Sequence, residues 1–376
     1  MANNLIWAVA GARKTQMIVD HCARSVPGKL RLALTFTRTG QGELTRRTSD
    51  QCPEDGRPEV LGWYTFLIHH WVRPLLWSKY PGRRIPGFNF EGDPGRYATG
   101  TSAFFDRDGQ IYRRNLAKLA CELNGATGGM AVQRLEGIYS EILIDEIQDL
   151  NGWDLEVIDA LLPSNIDLTM VGDTRQCVYS TNPQDAKNKQ FKLMAVREWF
   201  EHPKRRPKIA VTESSETHRS VQEIATFADT IFPSRHSFPA TISAQKSTNE
   251  HQGLWSVRSP DVSAYHSKYH PLLLTWDRVA GQSLPHPSRN LGEVKGMTSE
   301  HVLILPTKPI IAFLRAGNEL TPSSAGKLYV GVTRAVFSVG IIHDRSLPGF
   351  TVWQPPEGIP LPWQGYAPDS PHPGRG

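Results

Sequence analysis

The sequence predicts an α/β protein built on parallel sheets. Three observations carry that prediction. Short apolar runs at Leu5–Val9, Leu30–Phe36, Ile142–Asp145 and Leu168–Val171 alternate with stretches of helical period. The runs end in small, polar or charged residues, which is where a parallel sheet gathers its ligand chemistry. The most telling of these ends is Glu141-Ile-Leu-Ile-Asp-Glu-Ile-Gln-Asp149, an apolar strand that stops on Asp145-Glu146.

Taken in order, Leu5–Val9 is a short buried strand that leads into a small-residue loop, Ala10-Gly11-Ala12. A helix begins near Lys14, with Met17, Ile18 and Cys22 on one face. Leu30–Phe36, Ile142–Asp145 and Leu168–Val171 are the next strands of the same sheet. Residues from about 40 to 138 interrupt the alternation and are expected as an insertion; within it Gly62–Trp77 is helical and aromatic, and Pro81–Gly100 is irregular. Asn182–Pro207 ends in Pro203-Lys-Arg-Arg-Pro-Lys208 and is expected to be a linker. A second α/β pattern follows: a strand at Lys208–Val211, a helix at Ser220–Phe232, and further strand or helix segments at Val302–Leu305, Leu328–Val332 and Val336–Ile342. The expected domains are therefore 1–207 and 208–346. The tail 347–376, rich in Pro, Gly and Trp, has no period and is expected to be loosely ordered, either docking a partner through Trp353 and Trp363 or idle.

Composition sets outer limits. A chain of 376 residues can bury two cores, and 39% hydrophobic with 21% charged residues is ordinary for a soluble globular protein. No apolar run spans a bilayer, and Leu5–Val9 is too short for a secretion signal. Cys22, Cys52, Cys121 and Cys177 lie far apart without metal-ligand spacing. A reduced, cytoplasmic setting is expected. The formal charge of +5 permits a polyanionic partner without requiring one.

The chemistry is carried by motifs at strand ends. Ala8-Val-Ala-Gly-Ala-Arg-Lys-Thr15 lies between a strand and a helix. A phosphate-binding loop needs glycines so that amides can wrap phosphate, a lysine for the β/γ charge and a hydroxyl for magnesium. Lys14 and Thr15 meet two of those needs, but Val9 and Arg13 stand where glycines are usual. Taken alone, a Lys-Thr pair at a helix start is unremarkable. Asp145 is expected to hold magnesium, directly or through water, and Glu146 to polarise an attacking water. In Met170-Val-Gly-Asp-Thr-Arg-Gln-Cys-Val-Tyr179, the amide of Gln176 can touch a γ-phosphate and Tyr179 can stack on a base. Leu34-Thr-Phe-Thr-Arg38 offers hydroxyls, amides and the Phe36 ring to a single strand, although its plainer reading is a strand edge. Arg219 and Arg334 open and close the second α/β unit, and suit transition-state charge stabilisation. His218, His301 and His69-His70 lack carboxylate or cysteine partners at ligand spacing, so surface or core histidine is the simpler reading. The cluster Lys204-Arg205-Arg206 is expected to be solvated.

Together these segments resemble the UvrD/Rep-like branch of superfamily 1 helicases, in the family's motif order from Leu5 to Ile342. The match is most specific at Ile144–Asp149, Val171–Tyr179 and Leu328–Ala335. The resemblance implies two RecA-like parallel-sheet domains of the P-loop NTPase type, with ATP and Mg2+ as cofactors and hydrolysis between the domains. It implies a compact translocase or helicase moving along single-stranded DNA, or DNA with a single-stranded tail, in the 3′ to 5′ direction. Carried over by position, Glu146, Gln176, Arg219 and Arg334 are catalytic. Gly11, Arg13, Lys14, Thr15 and Asp145 hold the nucleotide, with Thr15 and Asp145 on the metal. Thr35, Phe36, Thr37, Arg38 and Tyr179 face the DNA. The departures are Val9 and Arg13, the absence of the family's glutamine-containing motif, and Lys295-Gly-Met-Thr-Ser299 where Lys-Gly-Leu-Glu-Phe is common. A protein partner such as a nuclease, or a replication or defence factor, fits so short a motor. A membrane does not. The alternative is a non-catalytic module that binds DNA or a partner on the same fold.

Overall fold

The computed structural model describes residues 3–24, 28, 30–178, 185–236 and 238–356. The chain divides into two compact units, Met1–Ala8 with Arg13–Ser214, and Val9–Ala12 with Ser215–Gly376. Both are α/β, each on a six-stranded sheet with parallel pairing.

In the first unit the strands are β1 (Asn3–Ala8), β2 (Arg31–Thr35) and β3 (Glu59–Gly62), then a short pair, β4 (Phe88–Asn89) and β5 (Ile111–Tyr112). β6 (Glu141–Ile144), β7 (Asp167–Gly172) and β8 (Ala210–Ser214) complete the unit. The sheet order is β3-β2-β6-β7-β1-β8. β2 and β6 are buried along their whole length, as expected for central parallel strands covered on both faces. Helix Lys14–Ala23 covers one face through Ile18, Val19 and Cys22, against Ala33, Leu143 and Val171. The other face meets a larger cluster that includes Trp63, Phe66, Trp71, Leu119 and Leu123.

Several sequence expectations are corrected here. The interruption expected over 40–138 is shorter. Helix Arg38–Gln51 packs Leu44 beside Ile18, and β3 pairs with β2, so the chain leaves the sheet only over 63–136. Residues 185–207 are not a linker, since helix Val196–Glu201 buries Trp199 and Phe200 in the first core. Arg205 is buried rather than solvated: its guanidinium lies 3.8 Å from the Trp199 ring centroid, and its Nε donates to Asp159 at 2.9 Å. The strand expected to open the second unit is β8, which pairs with β1. Local pattern could not settle that point, because a strand's sheet is decided by pairing and not by its own sequence.

A buried ion pair fixes the starts of β2 and β6. Arg31 Nε donates to Glu141 at 3.0 Å, and its Nη1 donates to the carbonyl of Cys22 at 3.0 Å, capping the end of helix Lys14–Ala23. Glu141 also meets His21 at 2.7 Å and accepts from Thr169 at 3.2 Å. Burial pushes the Glu141 carboxyl up, but His21, Arg31 and Thr169 outweigh it and hold the group below its ordinary range.

In the second unit β9 (Glu216–Thr217) pairs with β10 (Ile242–Ser243). The main strands are β11 (Gly253–Val257), β12 (Leu272–Thr275), β13 (Arg289–Asn290), β14 (Ser299–Ile304), β15 (Ala335–Ile342) and β16 (Thr351–Val352). Their order is β13-β12-β14-β15-β11-β16. Helix Gln222–Thr230 lies within the expected Ser220–Phe232, and Leu328–Val332 falls within helix Pro322–Val332. Residues 347–356 are more ordered than expected. β16 joins the sheet edge, and Trp353 is buried against Tyr265 and Tyr269, so it is not available for docking. Trp363 lies outside the described residues. Among the described residues no helix is long and apolar enough to cross a membrane.

Arg31→Ala is expected to cost about 3–5 kcal/mol, because it leaves Glu141 buried without its guanidinium. Arg31→Met combined with Glu141→Leu should cost far less. Urea unfolding of both variants tests this. The depressed Glu141 pKa sets the sign of the pH dependence: its contribution is complete above its ordinary value of 4.5 and is lost as pH falls through the lower folded value.

Candidate nucleotide site and nucleic-acid face

The carboxyl ends of β1, β6 and β7 assemble the site of the first unit. β1 delivers the chain to helix Lys14–Ala23, whose first residue is largely buried; Lys14 Nζ donates back to the carbonyl of Ala8 at 3.3 Å. Thr15 Oγ1 donates to Asp145 Oδ2 at 2.8 Å, across 130 residues of sequence. Asp145 Oδ1 accepts from the backbone N–H of Glu146 at 2.9 Å. Burial is the main force on Asp145, and with the neighbouring Glu146 carboxylate it pushes the carboxyl up to about 6; the Thr15 hydrogen bond and Lys14 oppose the shift. A hydroxyl and a carboxylate meeting beside a lysine form an oxygen donor set that suits magnesium. A dication there would also favour the charged form of Asp145, which burial disfavours.

Two residues of this site adopt left-handed backbone, Arg13 at φ 59° and Glu146 at φ 57°. Arg13 occupies the residue before Lys14, where a glycine would carry no Cβ penalty. Strain of this kind concentrates where geometry serves function. At Glu146 it turns the chain sharply from the end of β6 into the turn Ile147–Asp149.

Gln148 was not among the candidate residues, yet it connects two of the motifs. Its Nε2 donates to Glu146 Oε2 at 2.6 Å, and its Oε1 accepts from the N–H of Asp173 at 3.0 Å. Asp173 Oδ2 in turn accepts from Gln176 Nε2 at 2.9 Å, and Oδ1 from the N–H of Arg175 at 3.1 Å. A chain of side chains thus runs from Glu146 through Gln148 and Asp173 to Gln176. The available signal was the amide two residues after Glu146, which only the turn aims at β7. Gly172 permits the contact, since a Cβ there would stand 2.6 Å from Gln148 Oε1 and 2.7 Å from Ile147 Cγ2.

Of the residues expected to face nucleic acid, Thr35 is buried, Phe36 is half-buried against Trp63 at 5.6 Å, and Thr37 and Arg38 are exposed. Thr37 caps the helix that follows, its Oγ1 accepting from Gly40 N–H at 2.9 Å. β2 lies between β3 and β6 and is therefore not a sheet edge. Tyr179 lies outside the described residues.

The excursion over 63–136 holds a second feature that motif reading passed over. Between 73 and 118 the chain carries nine Lys/Arg and four Asp/Glu, an excess equal to the +5 of the whole chain. Trp77, Phe90 and Tyr97 are 69%, 53% and 84% exposed there. Arg83 lies 4.8 Å from the Phe105 ring centroid and Arg96 5.6 Å from that of Tyr97. Counting charge by segment would have exposed this face.

In the second unit Arg219 and Arg334 converge on Thr333. Arg219 Nη1 donates to the Thr333 carbonyl at 2.9 Å, and Arg334 Nη2 to its hydroxyl at 3.5 Å. Arg334 is 1% exposed, and its Nε donates to the carbonyl of Val330 at 3.0 Å. Ser220 and Val221 tie this region to the start of β15 through the carbonyls of Ala335 and Val336, at 2.6 and 3.0 Å. Residues Val9–Ala12 group with this unit, and Gly11 O accepts from the N–H of His218 at 3.0 Å. Gly11 has φ +78°, and a Cβ would fall 2.4 Å from Thr217 Oγ1, so only glycine fits. No cluster of three or more His, Cys, Asp or Glu able to hold a metal occurs among the described residues.

Residues 114–198 match the family described as the UvrD/REP helicase N-terminal domain, a stretch that includes Asp145, Glu146 and Gln176. Comparison with curated proteins finds no match. Among solved structures, an arterivirus nonstructural protein 10 helicase in complex with DNA is 14% identical with TM-score 0.47, over 91% of this chain and 60% of that one. The helicase of PRRSV is 14% identical with TM-score 0.45, over 91% and 52%. The chain therefore spans between half and three-fifths of the length of those helicases.

Gly172→Ala is expected to destabilise the protein by about 1–3 kcal/mol through overpacking against Gln148 and Ile147. The urea midpoint of the variant, alone and with Gln148→Ala, measures the clash; relief in the double variant identifies the amide as its source.

Proposed function

We propose that this protein hydrolyses ATP with Mg2+ and uses the cycle to translocate on single-stranded DNA, in the 3′ to 5′ direction that the family resemblance implies. The observation that carries the reading is the 2.8 Å contact between Thr15 and Asp145, with Lys14 and Glu146 adjacent to the two partners. Lys14 would neutralise the β/γ-phosphate charge, and Thr15 and Asp145 would hold the metal, which supplies further charge neutralisation. Glu146 would accept the proton of the attacking water, its carboxylate oriented by Gln148. Gln176, joined to that network through Asp173, would report the state of the γ-phosphate. Arg219 and Arg334 of the second unit would supply positive charge to the transferring phosphoryl group. The domain limits that fit this reading are 3–214 and 215–356, each a RecA-like half, with Val9–Ala12 grouped with the second.

Nucleic acid would be met by Phe36, Thr37 and Arg38 at the end of β2. The basic, aromatic face at 73–118 supports a polyanionic partner, since cations interleaved with exposed rings suit both backbone and bases.

A non-catalytic binding module is the second reading, favoured by Arg13 and Val9 in the loop before Lys14. The two separate cleanly. Lys14→Ala and Glu146→Gln should each lower DNA-stimulated ATP hydrolysis by at least a hundredfold, while Glu146→Gln still binds ATP. Wild-type protein without nucleotide turnover, binding DNA equally in both variants, would establish the module.

The contribution of the basic face has its own measurement. Reversing Arg83, Arg84 and Arg96 to Glu should flatten the dependence of log affinity for single-stranded DNA on log salt by about 0.7 per lost phosphate contact. An unchanged slope would remove this face from the interface.

A further inference from the structure

The second unit contains a cavity of about 730 Å³ at the carboxyl ends of three adjacent strands, β14, β15 and β11. It is separate from the residues assigned above. β14 leads through Pro306 into helix Lys308–Ala316, which forms one wall, and the chain after β15 forms another. Three cations line it: Lys308 and Arg315 from the helix, and Arg345 from the segment after β15. All three are exposed, and none takes part in an ion pair among the described residues. The one carboxylate of the lining, Asp344, has Oδ1 accepting from the backbone N–H of Ser259 at 2.8 Å, which directs it toward holding the loop. Ile311 and Ile342 give the cavity an apolar side.

Each of these observations narrows the ligand. The volume lies within the usual range for small-molecule sites, about 300–1,000 Å³. The carboxyl edge of a parallel sheet is the usual place for a ligand in this fold class. Three cations against one carboxylate leave a lining of net positive charge that asks for more than one negative charge, and guanidinium groups favour the fork geometry of phosphate. The apolar wall suits a flat organic group carried beside the phosphates.

We propose that this cavity is a second phosphate-binding site, which takes a nucleotide through its phosphate groups on Lys308, Arg315 and Arg345. The same chemistry is offered by a free nucleoside polyphosphate and by the phosphorylated end of a nucleic-acid strand.

The test uses the full chain with Lys14→Ala, so that the lysine of the first unit adds no phosphate affinity. Calorimetric titration is run with inorganic tripolyphosphate, with ADP, and with a short oligonucleotide bearing either a 5′-phosphate or a 5′-hydroxyl. Saturable binding of tripolyphosphate is expected, weakened at least tenfold by Arg315→Glu with Arg345→Glu at an unchanged melting temperature. If charge reversal lowers the melting temperature, Arg315→Gln with Arg345→Gln replaces it. Tighter binding of ADP than of tripolyphosphate identifies a free nucleotide as the ligand. Preference for the 5′-phosphorylated oligonucleotide identifies a strand end. Absence of saturable binding by all four probes at millimolar concentration overturns the proposal, as does equal affinity in the charge-altered chain. No hydrolysis is needed for the readout, so failure here leaves the translocase reading as it stands.

Discussion

A carboxylate buried at the end of a central strand is the constraint around which the first unit is arranged. Asp145 has little contact with water, and burial raises its pKa, so its charge must be met by groups brought from elsewhere in the chain. Thr15 reaches it from the first turn of a helix, and the N–H of Glu146 meets the other oxygen. Those contacts require β1 and β6 to share one sheet with their carboxyl ends aligned. The buried Arg31–Glu141 pair secures the opposite ends of β2 and β6, so the register that aligns the site is held at both ends of the sheet.

Side-chain links then extend the order outward. Gln148 spans from Glu146 to Asp173, and Asp173 holds Gln176, so two stretches separated in sequence act as one polar unit. Such a network is costly if incomplete, because a buried polar group without a partner loses the hydrogen bonds that water would supply. Gly172 permits the close approach, and the left-handed turn at Glu146 directs it. Local strain and a missing side chain therefore serve the same arrangement.

Charge is distributed unevenly in a way that a chain-wide total conceals. The whole excess of positive charge is equalled by the excess of one segment, 73–118, which leaves the sheet and displays Tyr97 beside Arg96. Some cations elsewhere are committed to structure. Arg205 stacks on Trp199, and Arg31 pairs with Glu141. Similar side chains thus do different work, and burial together with the number of bound acceptors separates them.

Sequence by itself determined the fold class and the strands that carry the site, because buried parallel strands are short continuous apolar runs and their ends are marked by residues that cannot continue them. It also marked Lys14, Thr15, Asp145 and Glu146 as candidates for one site, and the fold brings Thr15 and Asp145 into contact. Only the tertiary structure decided the membership of β3 and β8, the burial of Arg205, Trp199 and Trp353, and the bridging role of Gln148. The physical reason is the same in each case. Periodicity and composition are local, whereas pairing, burial and hydrogen-bond partners depend on segments brought together from apart in the chain, 25 residues apart for Gln148 and Asp173 and far more for β1 and β8.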